Sequence, residues 1–448
     1  MTTAQDAAAL VQRDRIHRRV FTDPEIFDLE MERIFSKSWV YVGHESEVSE
    51  SGDYKTTYIG RQPVIISRSD DGGLHCLFNR CMHRAASVCQ EKSGNSHSFR
   101  CGYHGWTYRN DGGLIGVPFP GAYGPEFSKE QFGLQRVARV SSYRGFIFAS
   151  LASEGPTLEE HLGNAMPYLD MIVASSPSGD LVLRSGAQRY HYAGNWKLQL
   201  ENATDGYHPA FVHQSMAEVV ERRAMLEGKS ARGMAAWRKK SDAVTRDLGN
   251  GHVMLDQRSA VGTDYIDRLK AAPGGAEAIL ALEEKFSPDV AEDWLARASG
   301  HGFNLAIFPN LVIIGVHVRV IQPVAVDQTE VTLYPMTLGD APREINGLRL
   351  RFHEEFFGPA GFGGPDDVEI FDRLADGLKA KAVEWLLLSR GLHSEVNDGD
   401  VIVGDLSDET PIRGQYRAWQ RLIADSTESM TVSLDSRTLT PILDEASS

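Results

Sequence analysis

Long apolar runs are missing from this sequence. The most hydrophobic stretch, 303–326, is broken by Pro309, His317, Arg319 and Pro323, and residues 1–19 carry charges where a secretory leader needs an apolar segment. Neither a membrane span nor an export signal is expected, and the reading is a cytoplasmic protein. Positive charge is also short: 46 Lys and Arg stand against 61 Asp and Glu, a net charge of -15. That balance excludes binding that depends on neutralising nucleic-acid phosphates. Four cysteines in 448 residues are too few for a disulfide scaffold. No Gly-x-Gly-x-x-Gly follows a strand and no Gly-Lys-Ser/Thr closes a phosphate loop, so the chain is not expected to hold NADH or a nucleotide itself. Repeats and low-complexity segments are lacking too. What is left is an ordinary soluble composition, 42% hydrophobic and 24% charged, in a chain long enough for two domains.

The texture changes along the chain. Within an N-terminal segment, 1–38, residues 4–36 read as helix with a turn at Thr22-Asp23-Pro24 and an apolar face of Ile26, Phe27, Leu29, Met31 and Ile34. From 39 to 156, short β-rich runs alternate with Gly, Asp and Asn turns, the pattern of a small antiparallel β-domain ending at Gly155-Pro156. The remainder, 157–448, opens with a helix over 158–173, a strand over 181–193 and a helix over 195–206. Residues 216–298 read as helices and exposed loops. Successive antiparallel strands follow at 303–307, 311–314, 316–322 and 330–335, with one long helix over 367–388 packed against them.

All four cysteines fall between positions 76 and 101. Cys81-Met82-His83 and Cys101-Gly102-Tyr103-His104 each offer one thiolate and one imidazole. Zinc also takes two Cys and two His, but its ligands more often come as Cys-x-x-Cys and His-x3-5-His pairs. In a Rieske [2Fe-2S] centre two histidines replace two cysteines on one iron, and two mixed loops would straddle such a cluster. Here the sequence resembles the Rieske family, whose Cys-x-His and Cys-x-x-His signature is met in full, with Arg84 and Gly105-Trp106-Thr107-Tyr108 alongside. Cys76 and Cys89 are expected to be buried small hydrophobes. Respiratory Rieske proteins add a disulfide inside the ligand loops, a placement neither cysteine fits, so the resemblance is to the oxygenase branch. Trp106 is a candidate docking residue for an electron donor, a partly buried tryptophan being the alternative.

The other dense run is Glu201-Asn202-Ala203-Thr204-Asp205-Gly206-Tyr207-His208, followed by His213. On one continuous helix Asn202, Asp205 and His208 make one polar stripe, as a solvated face would. His213 then lies about 140° round from His208, and Pro209 intervenes, so the helix must bend or end before both can serve one metal. Non-haem iron oxygenases hold Fe(II) with two His and one carboxylate on one face. The run resembles the iron-binding motif of ring-hydroxylating oxygenase large subunits, Glu-Asn-x-x-Asp-x-Tyr-His-x4-His, with every fixed position occupied. By family position the third ligand is Asp367, at the end of the Gly-rich segment 357–367, with Asp366 as runner-up. An acidic helix start is the other reading of that pair.

With both motifs in the family's order, the chain resembles the large (alpha) subunits of Rieske non-haem iron oxygenases of the naphthalene, biphenyl and benzoate dioxygenase group. The resemblance implies an α+β fold: a small antiparallel β Rieske domain ahead of a larger, helix-grip-like catalytic domain whose antiparallel sheet is flanked by helices. It implies a [2Fe-2S] cluster on Cys81, His83, Cys101 and His104, and a mononuclear Fe(II) on His208, His213 and Asp367. Asn202 and Asp205 become the catalytic side chains, Asp205 bridging His104 of one subunit to His208 of the next in a ring of three. Electrons would come from NAD(P)H through a separate reductase, with or without a ferredoxin, and a small β subunit would complete an α3β3 assembly, or α3 without it. The implied reaction is cis-dihydroxylation of an aromatic compound by O2. A monooxygenase or demethylase acting on an aromatic acid, and an electron-transfer Rieske protein, are the alternatives; the complete second iron motif argues against the last. Phe357 and Arg319 are expected in the substrate pocket with Phe303, Leu305, Ile307, Val316 and Val318, although packing explains strand hydrophobes as well. Arg319 facing that pocket would hold a carboxylate bidentately and point to an aromatic acid instead of a hydrocarbon.

Overall fold

A computed structural model describes residues 2–226, 242–260, 264–271, 274–298 and 302–425. They form two compact units, one of residues up to Ile34, Tyr143–Gly145 and Pro156–Asp425, the other of Phe35–Ser142 and Phe146–Gly155. Among the described residues no helix is long and apolar enough to cross a membrane.

The smaller unit is built from antiparallel β-sheets. Leu74–Phe78, Gln62–Arg68, Asp53–Ile59 and Ser93–Asn95 form a four-stranded sheet, and Ser98–Arg100, Thr107–Arg109 and Leu114–Gly116 a three-stranded one. Val64, Ile65 and Ile66 are all fully enclosed, so the second strand is covered on both faces. Ile65, Leu77, Phe99, Trp106 and Tyr108 form one core that also takes in Cys81 and Cys101. The two cysteine loops therefore rest on packed hydrophobic residues.

The larger unit is organised by a nine-stranded antiparallel sheet. Its order is Gln188–Tyr192, Gln328–Pro335, His317–Ala325, Leu311–Ile314, Phe303–Ile307, His252–Asp256, Val244–Gly249, Val401–Asp405 and Val396–Asp398. Leu311–Ile314 and His252–Asp256 are buried at every position. Helix Thr410–Ala424 packs on Val244–Gly249 and His252–Asp256, turning Ile412, Tyr416, Trp419 and Ile423 inward at the spacing of one helical face. At the base of this packing, fully enclosed Glu30 accepts hydrogen bonds from Trp196 Nε1 at 2.7 Å, Lys197 Nζ at 2.5 Å and Trp419 Nε1 at 2.7 Å. One carboxylate thus joins the N-terminal helices, the start of helix Lys197–Thr204 and the C-terminal helix.

Several elements differ from the sequence reading. The expected turn at Thr22-Asp23-Pro24 does separate Arg19–Thr22 from Pro24–Glu30, but the segment before it is not continuous helix: Ala4–Ala8 stands alone, and strand Arg15–His17 pairs with Trp385–Leu387. That pairing also shortens the helix expected over 367–388, which ends at Gly377 before the chain returns as a strand. The expected helix 158–173 breaks at Gly163, and the expected strand 181–193 divides into Leu181–Val182 and Gln188–Tyr192, which join different sheets. Within 216–298 the hairpin Val244–Gly249 and His252–Asp256 enters the main sheet where no strand was expected. Residues 227–241 of that segment, and its shorter gaps, lie outside the described residues.

Candidate metal centres

The two cysteine loops repeat one backbone pattern. Each cysteine N–H donates to the carbonyl five residues on, Cys81 to Ala86 and Cys101 to Trp106, both at 2.8 Å. Each cysteine carbonyl accepts from the N–H four residues on, Ala85 and Gly105, both at 3.0 Å. That fourth residue has positive φ in both loops, 62° and 72°. Glycine adopts this readily, whereas alanine pays about 1 kcal/mol, so the shape of the first turn is imposed by its surroundings. The turns bring the His83 and His104 rings to 4.6 Å between centroids. Cys81 and Cys101 are buried and free, and Cys81 Sγ lies 3.2 Å from the Tyr108 hydroxyl. The Nδ1 of His83 is buried with no partner. Two enclosed thiols and two imidazoles, one with an orphaned nitrogen, fit a mixed Cys/His iron–sulfur cluster.

Trp106 does not face outward. It is 3% exposed, stacked on His83 at 5.1 Å and caged by Tyr123, Phe127 and Phe132, so its surface is used in supporting the histidine. That corrects the expectation of a docking role. The exposed aromatics here are Tyr103, against His104, and Phe119. Local sequence carries no signal for which turn residue stays uncovered.

Helix Lys197–Thr204 ends at Asp205, which is extended at φ -84° and ψ 112°. Asp205 then accepts the Tyr207 N–H at 2.6 Å, making a turn. Gly206 allows that turn, because a Cβ there would meet the Leu406 carbonyl oxygen at 2.2 Å. A new short helix, Pro209–Val212, starts with proline and ends at His213. The helix therefore ends and restarts, and the stripe expected through Asn202, Asp205 and His208 is not a single helical face.

The result is a cluster in which one ligand atom from each of His208, His213 and Asp367 lies within 4.8 Å of the others. Asp367 Oδ1 is 3.7 Å from His208 Nε2 and 3.4 Å from His213 Nε2. Asp366 stands on the far side, 3.6 Å from His213 Nδ1, and Asp205 is 3.4 Å from His208 Nδ1. Asp366 and Asp367 lie in the first turn of helix Gly364–Gly377, but only Asp367 is turned into the cluster. The glycines before it permit close approach: a Cβ on Gly363 would meet the Phe356 ring at 2.2 Å. Asn202 Nδ2 donates to Asp367 Oδ1 at 3.1 Å and lies 3.3 Å from His208 Nε2. Burial, the main effect, presses the His213 pKa down and keeps its imidazole neutral, the form that ligates metal. Two imidazoles and a carboxylate, with acids behind the imidazoles, fit a mononuclear iron.

Of the pocket candidates, Arg319 and His317 share one face of strand His317–Ala325, with Val318 on the other. Phe357 packs on His317 at 4.4 Å between centroids and lies under the Arg319 guanidinium at 4.9 Å. Phe356 continues the chain, 4.5 Å from Phe357 and 5.3 Å from the His213 ring. Phe303, Leu305, Ile307, Val316 and Val318 are all buried, as packing alone requires.

Comparison with known proteins meets the same chemistry. Residues 38–140 match the Rieske [2Fe-2S] domain, and 180–424 match the ring hydroxylating alpha subunit catalytic domain. The chain is 36% identical over 387 residues to the 2-halobenzoate 1,2-dioxygenase large subunit of Burkholderia cepacia, covering 84% of this chain and 80% of that one. It is 39% identical over 377 residues to the toluate 1,2-dioxygenase subunit alpha of Pseudomonas putida, with coverage of 81% and 79%. The solved naphthalene 1,2-dioxygenase with indole bound in the active site matches with a TM-score of 0.77 at 28% identity, over 95% of each chain. This chain therefore belongs to the ring-hydroxylating oxygenase alpha subunits, Rieske dioxygenases that carry a [2Fe-2S] cluster and a mononuclear iron and act as terminal oxygenases with reductase or ferredoxin partners.

Proposed function

We propose that the chain catalyses cis-dihydroxylation of an aromatic acid of the benzoate type. What carries the reading is the convergence of His208, His213 and Asp367 in the catalytic unit of a chain that also holds the Cys/His cluster loops. The two relatives above act, by their names, on a halobenzoate and a toluate. The balance is one arene, one O2, two electrons and two protons to one dihydrodiol.

In this reading Cys81, His83, Cys101 and His104 would hold the cluster, and His208, His213 and Asp367 would hold an Fe(II) that would supply O2 activation. The Nδ1 atoms of His208 and His213 have no hydrogen-bond partner, but the carboxylates of Asp205 and Asp366 stand 3.4 and 3.6 Å from them, so their negative charge favours a proton on that nitrogen and leaves Nε2 free to ligate. Asn202 orders the Asp367 carboxylate by donating to Oδ1. Asp205 keeps lone pairs beyond the Tyr207 N–H for a second imidazole, that of His104 from a neighbouring subunit. In this reading the chain works in a ring of three alpha subunits, with small beta subunits as α3β3 or without them as α3.

Turnover of benzoate with a reductase under isotopically labelled O2 tests the proposal. Two labels in one dihydrodiol are expected. One label in a phenol, or release of an aldehyde from an alkylated substrate, would assign a monooxygenase or demethylase. Cluster reduction without oxygen uptake would leave an electron carrier.

A further inference from the structure

Arg319 is a buried cation without an anion. It is 2% exposed, and among the described residues no carboxylate pairs with it; its hydrogen bond runs from Nε to His317 Nε2 at 3.0 Å. A guanidinium only donates, so Nε2 of His317 accepts, and the neutral ring must carry its proton on Nδ1. His317 is held neutral chiefly by burial, then by the charges of Arg319 and His353. That Nδ1 is buried and has no partner. His353, also enclosed and 5.1 Å away between ring centroids, has neither nitrogen satisfied. An uncompensated buried charge costs several kcal/mol, and so does each unanswered donor on a smaller scale. A ligand that brings a negative charge to the guanidinium removes the larger of these costs.

The surroundings say what else that ligand contains. Phe357 lies against both Arg319 and His317, and Phe356 joins it to His213. Tyr190, whose hydroxyl donates to Gln199 at 2.5 Å, is acted on in opposite senses by the charges of Arg319 and Asp367. Gln199 Nε2 is a further buried donor without a partner. The region is therefore rich in donors at one end and aromatic toward the metal ligands.

We propose that Arg319 receives the carboxylate of the substrate while its ring lies against Phe356 and Phe357, on the side of His208, His213 and Asp367. This names the residues that select an acid and rests on the aromatic-acid reading above. The two carboxylate oxygens match the guanidinium fork, which Lys cannot reproduce. A neutral arene leaves Arg319 buried and unpaired, so the selection acts largely by penalising the wrong ligand.

The test is calorimetric binding of benzoate and of neutral benzamide to the anaerobic iron-loaded holoenzyme. Wild type should bind benzoate about tenfold or more tighter than benzamide; R319Q should lose that preference, and R319K should recover only part of it. Iron content and the cluster spectrum show that each variant is folded. Equal wild-type affinities for the two probes would overturn the proposal without recourse to any variant, and so would a folded R319Q that binds benzoate as wild type does. The two readings can fail separately. Arginine-dependent benzoate binding in a protein that yields no diol keeps the anion site and removes the dihydroxylase; diol formation with benzoate binding unmoved in R319Q does the reverse.

Discussion

Removing one imidazole separates the two metal centres. His208 and its neighbours belong to one compact unit, and Cys81, His83, Cys101 and His104 to the other. His208→Ala is expected to lose about one iron per chain while keeping the two irons and two sulfides of the cluster and its visible spectrum. Iron and acid-labile sulfide assays check this; loss of sulfide together with iron would show that the units do not load independently. Glu201 gives a second residue-level expectation. Burial pushes its carboxyl up to about 7, with the hydrogen bond from Tyr416 and the charge of Lys197 opposing. A folded pKa above an ordinary glutamate's 4.5 means that folding favours the protonated form. Its contribution is full below about pH 4.5 and is lost as pH rises through about 7, on the order of 3 kcal/mol at about 1.4 kcal/mol per unit. Glu201→Gln should flatten that decline when melting temperatures are compared at about pH 5 and about pH 8. An unchanged slope would mean that Glu201 is solvated in the folded state.

Among the elements, the junction around Glu30 has the sharpest consequence. Lys197 has a side chain only 4% exposed, and burial pulls its pKa down against the pull of Glu30. Glu30→Ala leaves that ammonium and two indole N–H groups unanswered, a loss of about 3–5 kcal/mol. The main thermal transition should fall by several degrees while the Rieske spectrum persists at low temperature; a change within about 0.5 kcal/mol, typical of surface substitutions, would dismiss the junction as a stabilising element. This junction was illegible beforehand because the partners of Glu30 lie 166, 167 and 389 residues away. Strand Arg15–His17 was hidden for the same reason, since only Trp385–Leu387 makes it a strand. The hairpin at 244–256 was missed because His252–Asp256 is buried on both faces and shows no alternation to read. By contrast, the cysteine loops and the need for the helix to bend or end between His208 and His213 were legible, since turn chemistry and ligand spacing are local. The proposed role of Arg319 lay between: its residue type named an anion, but only packing revealed that the described residues supply none.

At the scale of the whole molecule, the question is why one chain joins two metal units and carries no nicotinamide motif. Each unit offers one one-electron centre, and the proposed cis-dihydroxylation consumes two electrons per ring. A fully reduced chain therefore stores the requirement of one turnover, and every later turnover needs an external donor. Chemically reduced enzyme, freed of reductant and given benzoate and O2, should yield at most about one diol per chain with the cluster reoxidised in step. Asp205→Ala should retain both metals yet slow that reoxidation sharply, because the carboxylate beside His208 is the proposed link to His104 of the neighbouring subunit. Wild-type reoxidation in that variant would remove the bridge. Product well above one per chain, or NADH oxidation by the chain alone, would overturn the need for an external donor.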